Sequence, residues 1–202
     1  MRRRAIDKRS AKPHEATVRL FVAAYPPANV AKELAREASS LCARLNLPDS
    51  RETPNDQIHL TLQFVGETPV ANLEGVRESV RRAASGLSPF DLWPLRLISL
   101  PMSDRPRLIA AETDAPPTLL ELQRRLAQRL ARTAREKAGD RFTPHLTLRR
   151  FAIPGFRHPR IDEPITLERE RVAFQVSWIA LMQSDLKHDR AIHTELERVT
   201  LA

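Results

Sequence analysis

One tetrapeptide is written twice in this chain. His59-Leu60-Thr61-Leu62 returns 86 residues later as His145-Leu146-Thr147-Leu148. Each copy alternates polar and apolar side chains, the period of a β-strand with one buried face. On such a strand His59 and Thr61 project to one side, and Leu60 and Leu62 to the other. His145 and Thr147 divide in the same way from Leu146 and Leu148. The separation is close to half of the chain beyond its basic start, which predicts two related halves. Each half would present an imidazole beside a hydroxyl.

The remaining pattern fits an α+β fold. Thr17 to Ala23 reads as a strand closed by Pro26-Pro27. Val30, Leu34, Ala38, Leu41 and Leu45 recur at helical spacing over 28–46, and Leu73, Val76, Val80 and Ala84 form a second stripe. Two strands follow, the first interrupted by Pro94. A third helix opens at Pro116-Pro117, carries Leu119, Leu122, Leu126 and Leu130, and is predicted to run to Gly139. A polar connector over 152–164 leads to a closing strand pair.

Of the net charge of +8, much sits in residues 1–12, where six basic residues face Asp7 alone. That composition predicts a disordered basic tail over 1–16 and one domain over 17–202, and it gives bulk charge little weight in choosing a partner. No apolar run reaches the length of a membrane span. Cys42 is the single cysteine, so an internal disulfide is excluded and a reducing cytoplasm fits.

Two facing imidazoles suit acid–base chemistry on a phosphodiester. One ring deprotonates the attacking water and the other protonates the departing oxygen. Thr61 and Thr147 could hold the non-bridging oxygens. Two other readings stand beside this one. A lone strand histidine is commonly a satisfied core residue. Zinc would want two ligands at i and i+2, a slot that threonine fills here. A serine hydrolase has no G-x-S-x-G elbow to build on.

With these motifs in view, the chain resembles the two-histidine phosphoesterases of the LigT-like type, the RNA 2',3'-cyclic phosphodiesterases or 2'-5' RNA ligases, which carry two H-x-[ST]-x motifs. "VRLFVAAYPP", "PRLIAAET" and "IALMQSDL" support the likeness. It implies a bilobal α+β fold, with two antiparallel sheets and outer helices related by pseudo-twofold symmetry around a central cleft. It implies hydrolysis of a 2',3'-cyclic phosphate to a 2'-phosphomonoester, without cofactor or metal, on RNA ends or small cyclic nucleotides, by a monomer. By the same resemblance His59 would be the proton donor, His145 the base, and Thr61, Thr147 and Arg150 the phosphate contacts. A nucleotide-binding module without turnover and a minor ligase activity are the alternatives.

The chain departs from the family at His193, where relatives carry a tyrosine, and at Gln63, where many carry lysine. His14 and His158 read as solvent-exposed; His188 and His193 flank a predicted hairpin turn and could border the cleft, with an exposed loop position the favoured reading. Phe21, Phe64, Trp93 and Trp178 read as core. Arg124, Arg125, Arg129, Arg132 and Arg135 read as a solvated helix face.

Overall fold

The computed structural model describes residues 16–47, 50–102, 105–131, 142–151, 161, 165–186 and 191–202. The proposed tail, apart from Ala16, lies outside them, as do His14, His158, His188, Arg132, Arg135 and most of the 152–164 connector.

Eleven strands are described: β1 (Thr17–Ala24), β2 (Ser50–Glu52), β3 (Leu60–Pro69), β4 (Phe90–Leu92), β5 (Pro94–Leu100), β6 (Leu108–Thr113), β7 (His145–Phe151), β8 (Ile165–Thr166), β9 (Phe174–Val176), β10 (Trp178–Leu186) and β11 (Ala191–Thr200). Four helices accompany them: α1 (Ala28–Arg44), α2 (Leu73–Ala84), α3 (Pro117–Leu130) and α4 (Arg169–Val172).

The strands order as β11-β10-β1-β3-β7-β6-β5-β8, with β2 added against β7, and β4 pairs β9 in a separate ribbon. Every described pairing is antiparallel. The two large sheets expected from the sequence are therefore one nine-stranded sheet. The join is slight: β3 and β7 share the single pair Leu60–Leu146. Pro94 opens β5 rather than interrupting it, since the strand breaks at Trp93.

The helices pack on one face of this sheet. Leu34, Leu41, Val80, Leu122 and Leu126 join the four motif leucines in the main core. Leu60, Leu62, Leu146 and Leu148 are 1%, 2%, 0% and 1% exposed. Burying a leucine contributes about 2–3 kcal/mol, so the apolar side of each motif fixes where its polar side must point. The helices also cross between halves: α1, which follows β1, packs under β6 and β7, and α3, which follows β6, packs under β3.

Helix ends follow local chemistry. Asn46 takes a positive φ of 46°, and the Leu47 amide donates to the Cys42 carbonyl at 3.0 Å, which closes α1 in a Schellman turn. Pro117 stands at the start of α3, where its fixed φ suits a helix and its missing N–H is not needed. The same helix stops at Leu130, short of the predicted Gly139, because Ala131 is already extended.

Among the described residues, no helix packs on the opposite face. There Phe21, Ala23, Ala180 and Met182 form a second, smaller apolar cluster, edged by Tyr25 and Trp178.

Candidate active site

His59 immediately precedes β3, and His145 is the first residue of β7. Both rings are held alike. His59 Nδ1 lies 2.7 Å from the Gln57 carbonyl and His145 Nδ1 lies 2.8 Å from the Thr143 carbonyl, two residues back in each case. A carbonyl only accepts, so each Nδ1 carries the hydrogen and each Nε2 is left as the working nitrogen. Neither Nε2 has a partner among the described residues. Thr61 and Thr147 are partly buried, and their hydroxyls are likewise free of side-chain partners there.

The strands do not alternate regularly past the motifs. Across from β1, Ala23 meets Thr61 and Val22 meets Gln63, so Leu62 is an extra residue. Across from β6, Ala110 meets Thr147 and Ile109 meets Arg149, so Leu148 is an extra residue. Each motif thus bulges at its second leucine, which reverses the facing of the residues beyond it. Arg149 turns to the helix side, bonding Ser39, Ser50 and Glu52, and Phe151 is buried in the main core. Arg150 is left on the helix-free face with His145 and Thr147.

In the first motif the same step puts Phe64, opposite Phe21, on the face of His59 and Thr61. Phe64 is 66% exposed, which corrects its reading as core; Trp93, at 37%, is also outside the core. Spacing gave no signal for Phe64, because a residue five places after a motif histidine falls on the leucine face of a regular strand. Phe21 is buried, and Trp178 is half-buried under the Arg198 guanidinium, 3.8 Å from its ring centroid.

A third imidazole completes the group. His193, on β11, packs edge-on against His59 with ring centroids 5.2 Å apart, and against Phe21 at 4.8 Å. Its reading as an exposed loop residue is corrected: it is half-buried in a strand, and its Nδ1 is buried without a partner. The sequence marked the position, where relatives carry a tyrosine, but not the contact with His59, which crosses strands far apart in the chain. Tyr25 lies against His59 at 5.4 Å, with its own buried hydroxyl unpartnered. Gln63 is buried, its amide donating to the Phe64 carbonyl at 2.8 Å.

Burial and the charge of Arg150 set the electrostatics of this group. Burial pushes His59 down to about 4; the Gln57 carbonyl opposes this, while His193, Arg150 and His145 add to it. His193 is lowered by burial and then by Arg150, with Asp56 pulling the other way. Arg150 is lowered by burial and then by Arg51. Burial, then Glu195 and Asp56, keeps the Tyr25 phenol protonated.

Residues 26–188 match the family model described as the 2'-5' RNA ligase superfamily. The chain belongs to that superfamily. Among superfamily members, it is similar to the RNA 2',3'-cyclic phosphodiesterase of Thermus thermophilus, 28% identical over 194 residues that cover 91% of this chain and 90% of that protein. The RNA 2',3'-cyclic phosphodiesterase of Methanothermobacter thermautotrophicus is 26% identical over 143 residues, 70% of this chain and 77% of that one. Among solved structures, TT0787 of Thermus thermophilus superposes with a TM-score of 0.75 at 26% identity, covering 91% of this chain and 97% of its own. Escherichia coli LigT, in its apo form, has a similar fold, with a TM-score of 0.71 at 22% identity, over 92% and 98% of the two chains.

Proposed function

We propose that this superfamily member is an RNA 2',3'-cyclic phosphodiesterase working by two-histidine acid–base catalysis. The observation that carries this reading is the matched pair of imidazoles, each locked through Nδ1 by the carbonyl two residues back, each offering a free Nε2. The names of the curated relatives support the same activity. The two motifs would face one another about a local twofold axis across a central cleft.

In this reading His145 Nε2 takes a proton from water as the oxygen attacks phosphorus. The bond from phosphorus to the ribose 3'-oxygen breaks in line, and His59 Nε2–H protonates that oxygen, giving a 2'-phosphomonoester. The Thr61 and Thr147 hydroxyls donate to the non-bridging oxygens, and Arg150 balances their charge. The five-membered ring of the substrate is strained, which lowers the barrier without a metal.

His59 is unprotonated in the free protein at neutral pH, because its value lies near 4. The substrate's own negative charge, brought within a few ångströms, must raise it before it can act as the acid. Binding and activation are thereby coupled. Phe64 offers an open aromatic face on which a base can stack.

The test is phosphorus NMR of adenosine 2',3'-cyclic phosphate with EDTA present. Wild-type protein should give the 2'-monophosphate, and His59→Ala and His145→Ala should each lower kcat by about 10²–10⁴. Unchanged turnover in either variant would remove the assignment.

A further inference from the structure

The short strand β2 lies beside β7 in a register that treats two neighbouring pairs very differently. Glu52 faces Arg149, and the two form an ion pair at 2.5 Å. One residue along, Arg51 faces Arg150. Two like charges directly opposite on adjacent strands repel. Burial lowers the Arg150 guanidinium first, and Arg51 adds to that lowering. Neither arginine has a carboxylate within ion-pair distance among the described residues, although Arg36, Arg81, Arg96, Arg124 and Arg198 all do. The bulge at Leu148 turns Arg150 to the helix-free face, and Arg51, its direct partner, shares that face. The opposed pair therefore shares the face of Thr147, with Arg150 near enough to His193 to add to its lowering.

We propose that Arg51 and Arg150 together form a second anion site, which takes the phosphodiester group next to the reacting one. The inference rests on the proposed function and narrows it: the preferred substrate is an RNA chain ending in a cyclic phosphate, rather than a cyclic mononucleotide. A guanidinium has five N–H donors in a planar fork, so Arg150 can serve the reacting phosphate and share the next one with Arg51. An anion between the two arginines converts their repulsion into two charge-assisted contacts. A mononucleotide with a free 5'-hydroxyl has no second phosphate to offer.

The full chain is tested against adenosine 2',3'-cyclic phosphate and against a trinucleotide with the same cyclic end. Wild-type kcat/KM should favour the trinucleotide by about tenfold at low salt. Arg51→Gln should erase most of that preference while leaving mononucleotide turnover within about twofold, and Arg51→Lys should retain part of it. Binding is read separately with a trinucleotide ending in a 2'-phosphate, whose salt dependence should lose about one unit of slope in Arg51→Gln. Equal preference in wild type and Arg51→Gln, or an unchanged salt slope, overturns the second site. Failure of both substrates to turn over, with the salt slope still dependent on Arg51, sinks the catalytic reading and leaves the anion site standing.

Discussion

Leu60 pairs with Leu146, so the second residue of one motif lies directly opposite the second residue of its copy. His59 and His145 are the residues that precede this pair on the two strands, and His145 adds to the lowering of His59.

The division of roles between the rings can be read with a substrate that needs no acid. An aryl phosphodiester leaves as a stable phenolate, so His59→Ala should lose far less activity on bis(p-nitrophenyl) phosphate than on a cyclic nucleotide. His145→Ala should lose heavily on both. The reverse ranking, measured by steady-state kinetics, would exchange the two assignments.

Adjacent arginines should give opposite phenotypes. Arg150→Ala should raise KM by about tenfold with little change in melting temperature. Arg149→Ala should lower stability by about 1–3 kcal/mol, since its side chain is only 15% exposed and its loss removes the bonds to the Ser50 hydroxyl and carbonyl. Thermal melts and kinetics on the same two variants decide it. If both behave alike, the turn at Leu148 does not separate them.

Phe64→Ala should cost almost no stability, because the ring is 66% exposed. It should raise KM for adenosine 2',3'-cyclic phosphate by about tenfold, as expected when a base loses an aromatic platform. Ribose 2',3'-cyclic phosphate, which lacks the base, should be handled equally by both proteins. A shared loss on the two substrates would contradict a stacking role.

Acid should weaken the fold partly through His59. Its folded value is near 4, against 6.5 for an unperturbed imidazole, so between these values the unfolded chain binds a proton that the folded chain refuses. The contribution is complete above 6.5, declines as pH falls toward 4, and is on the order of 3 kcal/mol. Urea titrations at pH 7 and pH 4.5 should show a smaller loss of stability for His59→Gln than for wild type. An equal loss in both would mean that His59 is not desolvated as the structure has it.

Much of this was legible along the chain. The period of two in each motif assigned His59, Thr61, His145 and Thr147 to one face, because leucines at the intervening positions have to be buried. The stripes in α1, α2 and α3 gave three helices for the same reason. Alternation alone would have put Arg149 with the histidines and Arg150 with the leucines; only the resemblance to a family chose Arg150.

Local sequence determined the elements and the chemistry they carry, since side-chain spacing and the cost of exposing leucine act within a few residues. Tertiary pairing decided the rest. The extra residues Leu62, opposite β1, and Leu148, opposite β6, re-aimed Phe64 and Arg150, and the path β11-β10-β1-β3 brought His193 onto His59. Register is a property of two strands at once, and no single segment contains it.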